Sequence, residues 1–441
     1  MPFCPFTSGG LTAPGGAKKN NIKNKSIMKK YLIIAVASLT AVMACTKVDN
    51  VNNTTTKDAV INFSVINHSQ QTKAQDLPYA GLSYPIDVPF GTFAWWTENN
   101  WTGAASDQDY VFMDNEKIVN RQLEASGPYV WAPETTYYWT KTGKITFASY
   151  SPYVDASTKA SKGFSVIPSY DVAKGFLFTD YTIVDNTDVD VMYADLAKDC
   201  YQDTNMDGTS VTTTPTSNFS GVPTIFNHAL CRIGFVFRAI GTKNPNVNAN
   251  KIKIKKVDIK YINNKGSFTQ IPETAGNPRW SSLHAAATDY TDYAYLTPDA
   301  TPQTNAVELD LIDAAATNVA ATDNYTAIGT PRILLPQGLE VTINAQNEPV
   351  DVNKVATTDQ MLVVEYTILT EYTSKLGTWA EEDVTSKVRL RTSDLASWND
   401  NQNITYRISI NPYATAPITF DPAVVSWTDI YSNVDIVAHS E

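Results

Sequence analysis

The residues best suited to chemistry are few, and their spacing limits what they can do. Asp203-Thr204-Asn205-Met206-Asp207-Gly208 places oxygen-bearing side chains of Asp203, Asn205 and Asp207 at alternate positions before a glycine, the spacing that opens a calcium loop. Thr214 stands at the twelfth position, where a bidentate acid belongs, and Asp/Asn/Gly clusters are common in plain turns. An ordinary loop is therefore the stronger reading, a structural calcium the weaker, and no other cofactor is expected. Trp95-Trp96, Trp101 and Trp131 offer aromatic faces on which sugar rings could lie, whereas Trp139 and Trp427 are expected in a core. Trp96 and Trp101 have the most polar neighbours and are the candidates for glycan contact. The four histidines, His68, His228, His284 and His439, stand in no Ser-His-Asp, His-Glu-x-x-His or Gly-x-Ser-x-Gly context. His228 reads as a strand residue with a satisfied hydrogen bond. An enzyme is the weakest reading, with only an unseen carboxylate pair of the glycosidase kind left open.

The fourth kind of reactive group is a thiol with an address. Met28-Lys29-Lys30 puts two positive charges before Tyr31 to Met43, an apolar run of signal-peptide length and too short to span a bilayer comfortably. It ends in Val42-Met43-Ala44-Cys45, which resembles the lipobox of bacterial lipoproteins. That resemblance implies that residues 28–44 are a signal peptide. It also implies that Cys45 is alkylated with diacylglycerol and becomes the lipid-bearing N-terminus, held to outer-membrane lipid. Residues 1–27 precede a complete signal and lack apolar periodicity, so they read as a misassigned start with Met28 the initiator.

These groups need a scaffold, and composition says which. Nearly 400 residues follow the signal, enough for two or three cores. Tyr 23, Phe 16 and Trp 9, with abundant Thr, Val and Ile, favour strand over helix. A net charge of -11 without a basic cluster argues against a nucleic-acid partner and suits a soluble surface protein. Cys200 and Cys231 alone accompany Cys45 in the mature chain, so this is no disulfide scaffold. Cys231 falls on the core face of an alternating segment, where a free thiol acts as a small hydrophobe. A Cys200–Cys231 bridge remains open as the alternative.

Thr46 to Lys57 is polar and unpatterned, so residues 45–57 read as a tether. Ile61, Phe63 and Val65 then alternate with Asn62 and Ser64 as a strand buried on one face. Further strands are expected at Gly91–Trp96, Tyr110–Asp114, Glu116–Arg121, Thr135–Trp139, Ile145–Ser149, Val191–Ala194 and His228–Arg238. Asp185 to Lys198 could hold a short helix. Lys251–Tyr261 alternates with a slip at Lys255-Lys256, which predicts a bulge, and Asn263-Asn264-Lys265-Gly266 predicts a hairpin turn. Val307–Leu311, Ile333–Leu335, Leu339–Ile343, Leu362–Leu369, Asn403–Ile410 and a last strand near Val434–Val437 continue the series. The expectation is an all-β chain of two sandwiches, residues 58–225 and 226–441, with the boundary between about Ser217 and Asn250.

Several segments resemble the fimbrillin family, the FimA-like and Mfa-like pilus subunits of Bacteroidetes. Tyr137-Tyr138-Trp139 with Phe147-Ala148-Ser149-Tyr150-Ser151-Pro152-Tyr153 resembles the family's aromatic strand leading into F-A-Y-x-P-Y. Phe226-Asn227-His228-Ala229-Leu230-Cys231-Arg232-Ile233 resembles F-x-H-x-L-A-R-I, with Cys231 where Ala is usual. Leu334-Leu335-Pro336-Gln337 followed by Leu362-Val363-Val364-Glu365-Tyr366, then Tyr406-Arg407-Ile408-Ser409-Ile410, Ile418-Thr419-Phe420 and Trp427, complete the series from about residue 58 to 437.

The resemblance implies two transthyretin-like β-sandwich domains in tandem and assembly from a lipoprotein precursor at the outer membrane. A trypsin-like protease would cut between Lys73 and Ala74, where the family often has Arg. The first strand, Ile61, Phe63 and Val65, would leave with the lipid, and a strand of a neighbouring subunit would fill its groove. The segment with Ile430, Val434 and Ile436 is the candidate donor; a tail that folds back would make a tip or accessory subunit instead. A host or bacterial surface receptor is the further partner implied. The alternative is a permanently anchored, glycan-binding surface lipoprotein.

Overall fold

The computed structural model describes residues 60–67, 84–184, 189–201, 221–242, 244–281, 283, 290–314, 324–339, 360–392, 394–413 and 418–426. Met1–Lys57 lies outside these residues, and Asp58–Glu441 is a compact unit. Among the described residues of the latter the chain is all-β apart from two short 3-10 turns, Ala105–Gln108 and Ala160–Lys162.

The first ten strands are β1 (Phe63–Asn67), β2 (Phe90–Thr97), β3 (Val111–Gln122), β4 (Tyr129–Pro133), β5 (Lys144–Ser151), β6 (Ser169–Asp171), β7 (Gly175–Thr182), β8 (Met192–Ala194), β9 (Ala197–Cys200) and β10 (Val222–His228). Next come β11 (Cys231–Gly241), β12 (Val247–Asn263), β13 (Lys265–Thr269), β14 (Trp280–Ser281), β15 (Tyr290–Leu296), β16 (Val307–Asp313), β17 (Thr326–Ala327) and β18 (Arg332–Leu334). The last are β19 (Gln337–Gly338), β20 (Met361–Tyr372), β21 (Trp379–Arg389), β22 (Ser397–Trp398), β23 (Gln402–Ile410) and β24 (Ile418–Ser426).

Eight strands form one sheet in the order β2-β3-β4-β1-β10-β8-β5-β9, and β2 also pairs with β5. That extra pairing closes β2-β3-β4-β1-β10-β8-β5 into a ring. β5 shows why. Its residues are buried on both faces, Ile145 and Phe147 on the core inside the ring and Ala148 and Tyr150 on a second core outside it. A strand buried on both faces belongs at the centre of a layered structure. The second core is roofed by a four-stranded sheet, β14-β13-β7-β6, which contributes Phe176, Phe178, Phe268 and Trp280.

The remaining large sheet runs β21-β20-β12-β16-β11-β23-β24, with β15, β17 and β18 attached at its sides. Its core gathers the inward residues of β11, Cys231, Ile233, Phe235 and Phe237, with Ile252, Ile254 and Ile259 of β12. The register of β12 against β20 shifts between Ile254 and Lys256, which is the bulge expected at Lys255-Lys256. Beyond it Val257 and Ile259 return to the core, with Asp258 between them buried as well.

Several expectations are corrected. Tyr110–Asp114 and Glu116–Arg121 belong to one strand, β3, in which Asn115 takes a φ of 50° and the register against β2 slips. Asn263–Gly266 is not a hairpin: β12 stays in the large sheet while β13 crosses to pair with β7 and β14. Thr135–Trp139 is no strand, and only Tyr138 makes a single bridge, to Val60. Within Asp185–Lys198 the described part is strand, β8 and the start of β9, because Val191, Met192, Tyr193 and Ala194 are all buried and suit a sheet interior. The two cysteines are free and lie in different cores. The predicted strand at Val434–Val437, and Leu339–Ile343 beyond Leu339, lie outside the described residues.

β10 runs through the expected boundary between residues 225 and 226. The four-stranded sheet draws β6 and β7 from before it and β13 and β14 from after it.

Candidate functional site

Alternation made Ile61, Phe63 and Val65 a one-sided strand, and the structure shows where that side goes. β1 lies inside the ring, parallel to β10 in the register Phe63↔Val222 to Asn67↔Phe226. On its other side it meets β4 at a single pair, Phe63↔Trp131. Two further backbone bonds hold the entry: the Ile61 amide donates to the Tyr137 carbonyl at 2.9 Å, and the Val222 amide to that of Asn62 at 2.8 Å. β1 is therefore not an outer edge but the piece that joins β4 to β10. Ile61 and Phe63 are buried and Val65 is partly buried.

The slot is lined by rings. Phe63 meets Phe90 and Phe147 edge-on, each at 5.6 Å between centroids, the arrangement that aromatic quadrupoles favour. Tyr84 stacks on Phe226 at 5.1 Å and meets Trp131 edge-on at 5.2 Å, while its hydroxyl bonds that of Ser151 at 2.7 Å. The described residues leave β1 at Asn67 and resume at Tyr84. Lys73 and Ala74 fall between these points, outside the described residues.

Gly221 sets how closely β1 can sit. Its φ is +109°, a conformation nearly confined to glycine. A Cβ there would stand 2.7 Å from Asn62 Oδ1, 2.8 Å from Ser64 N and 2.9 Å from Phe63 C. Sequence reasoning passed over Gly221; the available signal was a lone glycine at a strand start. It also passed over Tyr84, which sits in a Ser-Tyr-Pro segment with no periodicity to mark it as core.

At the end of β10, the His228 Nδ1 and Asp190 Oδ2 lie 2.7 Å apart with both side chains buried, the hydrogen bond expected of a strand histidine. Burial pushes the Cys200 thiol up to about 12 and the Cys231 thiol well above its ordinary range, which makes both poor nucleophiles.

The glycan candidates separate. Trp101 is 8% exposed and packs at 5.7 Å against Trp95 in the second core, so it offers no free face and its assignment as a contact is corrected. Its polar sequence neighbours misled: the Thr102 and Gly103 amides donate to the buried Asp107 carboxylate, so they are internally bonded rather than marks of a wet surface. Trp96 is half-buried, its indole donating to the Thr142 carbonyl at 2.8 Å and its ring edge-on to Tyr110 at 5.7 Å. Cys45, the calcium candidates Asp203, Asn205 and Asp207, and the donor residues Ile430, Val434 and Ile436 all lie outside the described residues.

The sequence and fold have known counterparts. The Fimbrillin-like family matches residues 89–427. A fimbrial protein from Bacteroides vulgatus shares the fold at a TM-score of 0.51 and 18% identity, over 84% of this chain and 99% of that one. A fimbrilin from Porphyromonas gingivalis aligns at a TM-score of 0.35 and 11% identity, over 85% and 99%. No curated protein matches the sequence. With more than three quarters of its length within that match, the chain belongs to the Fimbrillin-like family.

Proposed function

We propose that this chain is a subunit of a cell-surface pilus, exported as a lipoprotein on Cys45 and polymerised by strand exchange. In this reading a trypsin-like protease cuts between Lys73 and Ala74, and β1 departs with the lipid. The emptied slot then accepts a strand from the next subunit, supplied by the segment holding Ile430, Val434 and Ile436. The observation that carries the reading is the position of β1: a short strand that closes a ring, parallel to β10, in a family of fimbrillins. Removing it would leave two facing unpaired edges over an aromatic floor, a setting that β-strand addition uses. Lys73 is the only Lys or Arg between Asn67 and Tyr84, so one cut there would free β1 while keeping Tyr84 in place.

N-terminal sequencing of assembled pili tests this directly. A start at Ala74 is the expected result, and an intact acylated Cys45 in the filament would overturn it. Replacing Lys73 with Gln should leave the precursor on the membrane and filaments absent by electron microscopy.

A further inference from the structure

The outward face of the large sheet carries a second feature that the pilus reading does not use. On β12, Lys251 and Lys253 point away from the core, since Ile252 and Ile254, which alternate with them, are buried in it. Their Cα partners on β20 are Leu369 and Thr367, whose own partners on β21 are Glu381 and Asp383. These residues line a groove of about 410 Å³, walled on the far side by Pro302 and Gln303. Gln303 is fixed there by its Nε2, which donates to the Lys255 carbonyl at 2.8 Å.

A solvated sheet face would be a ladder of paired charges, and part of this one is. Lys255 bonds Asp383 at 2.7 Å, and Lys251 lies 3.5 Å from Glu308 and 3.6 Å from Asp310. Three departures mark the rest as a site. Lys253 and Glu381 have no ionic partner among the described residues. Leu369 lies on the outward face yet is buried, giving an apolar floor outside the core. Trp379, at the rim, is 37% exposed, with the Lys251 ammonium 5.9 Å from its ring.

An aromatic plane, an apolar floor and a few directed donors and acceptors are the makings of a small-ligand site. The chemistry selects the ligand. Three ammonium groups (Lys251, Lys253, Lys255) face three carboxylates (Glu308, Glu381, Asp383), so the lining is neutral and has no field for a polyanion. Lys253 can donate to one hydroxyl and Glu381 accept from another, as a polyol requires. We propose that this groove binds an uncharged hexopyranose, its C–H face on Trp379 and its hydroxyls bonded to Lys253 and Glu381.

The proposal does not rest on strand exchange, because a chain that never polymerised would still bind sugar. Saturation-transfer NMR on the purified full chain tests it, with lactose, maltotriose, cellotriose and mannobiose as probes and 3′-sialyllactose as the charged comparison. Transfer to ring protons of at least one neutral sugar is expected. Trp379→Ala should weaken that binding about tenfold, as loss of an aromatic contact face does, while Trp379→Phe and Trp96→Phe retain it. Unchanged thermal melting of Trp379→Ala would separate loss of the site from loss of the fold. Silence from all four neutral sugars, undiminished transfer in a folded Trp379→Ala, or preference for 3′-sialyllactose over lactose would each overturn the proposal.

Discussion

At the scale of single residues, Gly221 and Phe63 hold the first strand in place by opposite means, one by having no side chain and the other by filling the slot. Gly221→Ala combines strain at φ +109° with a Cβ pressed on the β1 backbone, and should destabilise the chain by about 1–3 kcal/mol. Phe63→Ala empties an aromatic cage and should cost about 3–5 kcal/mol. Urea unfolding followed by tryptophan fluorescence measures both. Two acidic loop residues give a pH signature. The Ser157 and Thr158 hydroxyls and amides hold the Asp155 carboxyl at about 2, and the Thr304 hydroxyl and amide do the same for Asp299. Both values lie below the ordinary carboxylate range. A depressed folded-state value means stability that is complete above about pH 4 and is lost as pH falls through about 2. Asp155→Asn should therefore lower the melting temperature near neutrality and flatten its fall below pH 4. The core role of Phe63 was legible from alternation, whereas Trp101 was misjudged because polar sequence neighbours can be buried partners.

At the scale of elements, β1 is joined to one neighbour by a full parallel register and to the other by one residue pair. A chain beginning at Ala74 should take up a labelled peptide of residues 58–67, and the Phe63→Ala peptide should not bind; fluorescence anisotropy reads both. Strands with one wet and one dry face, such as β12, and strands in aromatic runs, such as β2 and β5, were visible in the sequence because burial imposes its period on the residues. β7, β10 and β13 were not. Phe176 and Phe178 of β7 are separated from Tyr181 by Asp180 at a φ of 49°, and β10 carries Pro223 beside β1, so neither shows a clean repeat. The turn at Asn263–Gly266 has hairpin chemistry but serves as a crossover between sheets, a choice made by the Phe268–Trp280 and Phe178–Phe268 contacts far along the chain. The groove under Trp379 was hidden for a like reason: its residues come from four strands and the loop at Pro302-Gln303, brought together by register.

At the scale of the whole molecule, the all-β architecture followed from composition and strand spacing, while the shared core between the ring and the four-stranded sheet did not. Its residues, from Trp95 to Leu335, are joined only by the fold. That sharing predicts one cooperative transition for the segment before residue 225 and the strands β13 and β14. Phe268→Ala should lower the melting temperature of the ring's own core, read by hydrogen exchange at β2 and β5, as much as that of the roof. A chain cut near residue 225 should not fold as an isolated ring, because it lacks the strands that cover Phe176 and Phe178. The direction of β1 carries a further consequence. A strand that replaces it and keeps the direction of β10 has a fixed polarity, so donor and acceptor surfaces can never be the same patch. Such a contact is heterologous: repeated with a translation it gives a line of copies with unlike ends, and only a reciprocal exchange or a closing rotation would end it in a dimer or a ring. Under the proposed exchange, a copy without a strand to give would stand at one end of such a line.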